Sequence, residues 1–530
     1  YEMLGYQTSG LSNYHPELKK RVLENRFWAA GGTIAYEADL AGVLMEAQNI
    51  IGIEYLDDGG LHTACATIVI DASAEAYVCL LAGASYRLGR DSDRKTQPFS
   101  CVEVTCDDAT GRMGHAYSDC GYVNPIDPVD YAKAVLSAAR YPNYLREDYR
   151  KGIRTLGLSS LLGVREGPLV DGEDMLTLTD VLAGKKSEKP LFIAYSNADN
   201  HGKDMAFESI AQQDWMVAAS LWGLNFSVGV PVGAVIPKGL NGLLMAGRMI
   251  SVDHDLASCI RMERDIQKCG EAVGMLASEA LRHGCAVRSV PYASLAAMLR
   301  QTGCLSEANA VGFVDSRIPN GQGRIAFPQR REDILAGLSS DQPGMAIWSA
   351  RTQQLREPLF ASLGSEKEHL RCHAAMALAL QGDDTGAEVL RTCVRNFDAF
   401  VPRTSRKYNM VRGCAALYLL GRIADRDTLS LALQLARDWQ GFPIRDFVAD
   451  ELIGNEEEYR FQYLTQALVA AIRIAARYTD MRDEVRTCVH AIVFAPDFQI
   501  HTTLKGGACI AYPMRDLIGQ AITCMMEDWS

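Results

Sequence analysis

The sharpest change of pattern along the chain is a short apolar run, residues 243–246, set between Asn241-Gly242 and Gly247-Arg248. Such punctuation predicts a short buried strand that ends on Gly247. Behind it come a polar turn, residues 251–255, and a long segment in which Ala257, Ser258, Gly270, Ala272 and Gly274 are small. This predicts a helix with a small face that a backbone or a flat ligand can approach closely. A strand delivered to a helix N-terminus is also where α/β sheets receive anionic or electron-rich ligands, because free N–H groups and the helix dipole point there.

Upstream, residues 17–25 predict a helix, and 35–47, with Tyr36, Leu40, Val43, Leu44 and Ala47, carry helical spacing. Residues 50–55 and 64–70 predict strands joined by the turn-rich 56–60, and 99–106 a further strand. Downstream, residues 307–331 hold Pro319-Asn320-Gly321 and Pro328-Gln329-Arg330, the composition of a connector. The pattern then turns helical. Residues 370–380 recur as 411–420, with a weaker third copy at 462–475, which predicts a HEAT-like repeat in which alanines let paired helices pack closely. Cys372 and Cys414 fall at equivalent positions of two copies and read as small core residues.

The 530 residues are 48% hydrophobic and 22% charged, enough for about three domains on the usual length scale. A formal net charge of −12 argues against a nucleic-acid partner, which needs a concentrated basic surface. No apolar run is long enough to span a bilayer. The 15 cysteines are scattered without a Cys-x-x-Cys pair, so no metal site or disulfide framework is expected, and a reducing, cytoplasmic setting is.

Ile236-Pro237-Lys238-Gly239, Asn241, the strand with Gly247-Arg248, Ser251, Arg261 and the following Gly- and Ala-rich helix together resemble the C-terminal flavin-binding segment of FAD-dependent oxidoreductases. The branch is the one with a glutathione-reductase-like flavin fold and a HEAT-like helical tail. Leu4-Gly5-Tyr6-Gln7-Thr8-Ser9-Gly10 is similar to the family's Leu-Gly-Gly-x-x-Thr-x-Gly, with Tyr6 at the second glycine. Ile68-Val69-Ile70-Asp71-Ala72-Ser73-Ala74 resembles its Val-Ile-Asp-Ala-Thr-Gly-Asp, with Ser73 for Thr and Ala74 for Gly. Arg165-Glu166-Gly167-Pro168 resembles its Arg-Glu-x-Arg, with Pro168 at the second arginine, and Asp199-Asn200-His201 its Asp-x-His. The Gly-x-Gly-x-x-Gly turn that opens the family's fold is missing before these segments. The expectation is that the first βαβ unit, roughly 35 residues, lies outside this chain or is naturally lost.

The resemblance implies an α/β fold: an incomplete FAD-binding Rossmann-like domain (1–85 and 225–300) with an inserted α+β substrate region (86–224). A connector (301–345) and an all-α HEAT-like C-terminal domain (346–530) follow. It implies FAD as cofactor, faced by Thr8, Ser9, Gly10, Asp71, Ala72, Gly247, Arg248, Asp253, His254 and Ile260. For hydride transfer between a small organic substrate and the flavin, it points to His201 as the proton-handling group and to Arg165 or Arg261 as the substrate anchor. From the residues alone, His201 reads equally as a hydrogen-bonded loop histidine, His254 as a helix cap, and Arg248 and Arg261 as ordinary salt-bridged residues. The competing function is a non-catalytic interaction protein whose helical repeat holds a partner. The expected partners are a small-molecule substrate and, through the helical domain, a second copy or another protein, with neither nucleic acid nor membrane.

Overall fold

The computed structural model describes residues 16–119, 121–138, 152–305, 312–315, 325–402, 410–445, 453–503, 509–512 and 514–529. Thr8, Ser9, Gly10 and the motif-bearing segment around them lie outside the described residues, as does Pro319-Asn320-Gly321.

Helix α1 (Pro16–Ala29) leads into an antiparallel meander of β1 (Asp39–Glu46), β2 (Asn49–Asp57) and β3 (Gly60–Cys65). β1 replaces the helix expected over 35–47. Its register shifts between Leu40 and Gly42 and again between Leu44 and Met45. Each shift breaks the strand's two-residue alternation, so Leu40, Val43 and Leu44 acquire helix-like spacing on an extended chain.

Then follow β4 (Val69–Asp71), α2 (Tyr77–Leu81), β5 (Tyr86–Arg87), β6 (Ser100–Asp107), β7 (Met113–Asp119), α3 (Pro128–Ala138), β8 (Ile153–Leu158), β9 (Leu169–Val170), α4 (Leu178–Leu182) and β10 (Pro190–Ser196). Helix α5 (Ile210–Gln213) runs into a π-helical turn, Asp214–Ala218, and β11 (Leu224–Pro231), β12 (Leu243–Met245), α6 (His254–Ile260), α7 (Glu263–His283), α8 (Tyr292–Thr302) and β13 (Gly312–Asp315) complete this half. β4 and β12 pair in parallel, while β7-β6-β8 and β10-β11-β13 are antiparallel sheets.

The helix expected behind the polar turn is two helices. Met262 takes an extended conformation between α6 and α7, and the Arg261 side chain is drawn inward at the break. The small face divides accordingly: Ala257, Ser258 and Ala272 are buried, whereas added side chains at Gly270 and Gly274 would meet open space.

The predicted connector contributes a strand. β13 adds to the edge of β11, and Phe313 stacks on the buried Trp215 at 5.1 Å. Trp215 also meets Trp348 edge-on at 5.0 Å, joining this half to the helical one.

That second half holds α9 (Arg331–Leu338), α10 (Gly344–Thr352), α11 (Glu357–Ser362), α12 (Glu368–Leu380), α13 (Ala387–Arg395), α14 (Arg412–Arg422), α15 (Leu429–Arg437), α16 (Glu456–Arg477) and α17 (Arg482–Val493). The three predicted copies are α12, α14 and α16. Small residues set their spacing: a Cβ at Gly421 would lie 2.7 Å from the Ala470 Cα, and one at Gly386 would lie 2.8 Å from the Ala375 Cα. Across the halves, Asp214 accepts from the Tyr418 hydroxyl at 2.7 Å and from Arg422 Nε at 2.7 Å. Among the described residues one large apolar core reaches from Ile50 to Trp529, and a small one gathers Phe99, Val123 and Ala134. Among the described residues no helix is long and apolar enough to cross a membrane.

Candidate functional site

The parallel pair β4–β12 brings two chain segments out of the sheet side by side, with Met245 opposite Asp71 and the Ala246 N–H donating to the Asp71 carbonyl at 2.8 Å. Asp71 is fully buried and organises the exit. One carboxylate oxygen accepts from the Ser73 N–H at 2.9 Å and the Ser73 hydroxyl at 2.6 Å, and the other from the Cys79 N–H at 2.9 Å. Held this way, the loop turns tightly enough for Ala74 and Ala76 to adopt positive φ, 69° and 60°. Ser73 at the family's Thr position therefore supplies a working hydroxyl.

On the neighbouring segment Gly247 has φ +140°, and a Cβ there would press on the Met249 sulfur at 3.2 Å. Arg248 pairs with Glu75, while its Nε is buried without a hydrogen-bond partner. Asp71, exposed Ala72, Gly247 and Arg248 thus come together where β4 and β12 end. The residues at the strand ends fit a flat, electron-rich group such as a flavin in kind: Ala72 is exposed, Gly247 carries no side chain, and the buried Arg248 Nε is a donor without a partner.

Asp253, His254 and Ile260 have other partners. Asp253 caps α6, one oxygen accepting from the Leu256 N–H at 2.9 Å and the other from the Leu178 N–H at 2.9 Å, and burial raises its pKa to about 6. Ile260 is core. His254 is clamped between carboxylates, Nδ1 to Glu166 at 2.8 Å and Nε2 to Glu208 at 3.2 Å. Burial disfavours the charged ring, yet Glu166 and Glu208 outweigh it and hold its pKa well above the ordinary imidazole value. Glu208, His254 and Asp255 place ligand-type atoms within 4.8 Å of one another, and a metal there would have to displace the His254 proton.

A second cluster gathers His201, Arg165 and Arg261. Asp119, the last residue of β7, is ion-paired with Arg165, whose Nη2 lies 2.8 Å from one carboxylate oxygen, and accepts from His201 Nδ1 at 3.0 Å through the other. Asp199 takes His201 Nε2 at 3.1 Å through its carboxylate and Arg261 Nη2 at 2.9 Å through its carbonyl. Arg165 also reaches the Pro98 carbonyl. His201 sits at φ 59°, a strained value for a side-chain-bearing residue that aims the ring between the two aspartates.

Burial opposes its charge, but hydrogen bonds to Asp119 and Asp199 win, and its pKa is raised. Asp119 is pulled down to about 2 against its own burial by His201 and Arg165. Arg261 is lowered to about 10, first by burial and then by the neighbouring Arg165 charge.

Gln97 connects the clusters. It donates its N–H to Glu166 at 2.7 Å and its amide to the His254 carbonyl at 3.3 Å, and accepts from Arg261 Nε at 3.1 Å. A cleft of about 700 Å³ opens onto His254 and Glu208, walled by Arg87, Thr177, Ser209 and, from the helical half, Arg473. Asp255, raised to about 7 by burial and then by Asp253, faces the same cleft. Asp119, Gln97, Glu208 and Arg473 escaped the sequence reading, since no local pattern marks them. Glu166 and Asp199 were inside quoted motifs, beside the residues chosen.

A family model described as FAD dependent oxidoreductase matches residues 2–151 and 130–299, together more than half of the chain. Comparison with curated proteins and with solved structures gives no match. The matched span contains both clusters and the ends of β4 and β12, and the family is FAD dependent. The chain is accordingly a member of the FAD dependent oxidoreductase family.

Proposed function

We propose that the protein transfers a hydride between a small organic substrate and FAD. FAD, when bound, supplies the redox chemistry itself. Asp71, Ala72, Gly247 and Arg248 at the strand ends would hold it, and Thr8, Ser9 and Gly10 belong to the same role by motif. Asp253, His254 and Ile260, which the resemblance also sets facing the cofactor, keep the buried partners described above.

The observation that carries the reading is the convergence of His201, Arg165 and Arg261 on Asp119 and Asp199. His201, charged between two carboxylates, hands its proton to the substrate oxygen when substrate is reduced, and the His201–aspartate pair takes it back in the reverse direction. Arg165 and Arg261 are near enough for one charge to depress the other's pKa. An anionic substrate group set between them relieves that repulsion and is oriented by it.

The helical half, read as HEAT-like, carries the surface for a second copy or a partner protein, and the protein works in the cytoplasm. The test is a His201→Ala variant of the full-length protein with FAD bound, shown by absorption at about 450 nm, which the cofactor itself provides. Turnover is expected to fall by about 10²–10⁴-fold, and in the wild type the substrate-reduction rate falls as pH rises through the raised His201 pKa. Unchanged turnover removes His201 from the role. A preparation that never takes up FAD favours the interaction reading.

A further inference from the structure

The second of the two ligand-type groupings lies in the helical half. Cys372 on α12 and Cys393 on α13 are buried with their sulfurs 3.6 Å apart, Cys393 donating to Cys372. The pair lines a cleft of about 640 Å³, together with Asp398, Phe400, Arg371 and Arg445. Arg412, 1% exposed at its side chain, stands beside them. Its Nε donates to Asp398 at 2.6 Å, Nη1 lies 3.1 Å from His369 Nδ1, Nη2 meets Glu368, and the guanidinium lies 4.7 Å from the Phe400 ring centre.

A thiol accepting a hydrogen bond from a second thiol, next to a buried fixed cation, is arranged to ionise first. The Cys393 hydrogen bond, and then the Arg412 charge, lower the Cys372 pKa, while the same bond raises that of Cys393. The two sulfurs thereby differ in role although both are buried cysteines.

The geometry points to a thiol–disulfide exchange site: Cys372 attacks a small disulfide entering the cleft, and Cys393 resolves it. The Cys372 thiolate bonds to one sulfur of the disulfide, whose S–S bond breaks, and the first thiolate leaves. The Cys393 sulfur, its proton lost to solvent, then attacks Cys372 Sγ and expels the second thiolate. The protein loses two electrons and two protons and the small disulfide gains them, giving two thiols. Arg371 and Arg445 line the cleft together with Glu368, Glu388 and Asp398, a mixed set that suits a disulfide bearing both carboxylates and ammonium groups. A divalent metal on Cys372, Cys393 and Asp398, whose ligand atoms lie within 4.8 Å of one another, is disfavoured by Arg412. The guanidinium takes one Asp398 oxygen and the Phe400 N–H takes the other at 3.0 Å, and its charge repels a dication.

The test uses the native full-length protein and glutathione disulfide. The expected product has lost two hydrogens and yields a Cys372–Cys393 linked peptide, and Cys393→Ser stops with a glutathionyl group on Cys372. Should that variant fail to fold, iodoacetamide labelling of the wild type decides. Cys372 is expected to react about tenfold faster than Cys393 at neutral pH, with a pH profile shifted below that of an ordinary thiol. No link under native conditions, an ordinary labelling profile at Cys372, or stoichiometric zinc released by thiol reagents each overturns the proposal.

Discussion

His373 is fully buried in the helical half, and His254, at the start of α6 in the polar seam, is nearly so, its side chain 9% exposed. The seam surrounds its histidine with Glu166 and Glu208 and keeps it charged. In the helical half, His373 Nδ1 donates to the Leu338 carbonyl at 2.7 Å and Nε2 has no partner. Burial drives the pKa down to about 3, so the ring is neutral. Burial is common to both, and the partners decide the charge. A seam held by paired charges can hold and move protons, whereas an interior held by close helix packing contributes shape.

Removing one charge from the seam is the harshest way to break this comparison. Glu166→Gln leaves the His254 imidazolium facing Glu208 alone, and truncating one partner of a buried pair costs about 3–5 kcal/mol. Denaturant unfolding should show a loss of that order, and NMR titration should find the His254 pKa lowered. A loss under about 1 kcal/mol, the worth of an exposed pair, would mean the seam is wetter than its burial indicates.

The seam also explains what the sequence could convey. The strand ending on Gly247 was legible because its apolar run is bounded by Asn-Gly and Gly-Arg, and His201, Arg165 and Arg261 because each sits in an ordered series of motifs. Glu208 and Gln97 were not, since their roles arise only where β10, α6 and the loop after β5 come together. The helix wrongly expected over 35–47 shows a second limit. Two register shifts in β1 give a strand helical spacing, and only pairing with β2 reveals them. The three segments predicted as copies do fall on the helices α12, α14 and α16, whose apolar spacing is a local property of the chain.

The packing of these helices yields the next test. Gly421 lies so close to Ala470 that a Cβ would be 2.7 Å from its Cα and 2.8 Å from its Cβ. Gly421→Val should therefore cost about 1–3 kcal/mol through overpacking, while leaving the His254 titration unchanged. A shift in that titration would show the two halves to be electrostatically coupled, and the contrast between them would fail.

The smallest expected effect sharpens the contrast furthest, because its sign differs between the two histidines. For His373 the folded pKa, about 3, lies below the unfolded value near 6.5, so its contribution is present above 6.5 and is lost as pH falls. By pH 6 the loss is about 0.8 kcal/mol, and it grows with further acidification. His254, raised, behaves oppositely: its contribution is complete below 6.5 and disappears only as pH rises through its folded pKa. Asp253 and Asp255, raised to about 6 and about 7, also favour the folded state as pH falls through those values, and partly hide the His373 slope. The measurement is therefore a difference: unfolding free energy between pH 7 and pH 5.5 for wild type minus that for His373→Gln, which keeps an N–H for Leu338 but cannot titrate. If the two curves run parallel, His373 is not the neutral, desolvated ring that its surroundings require.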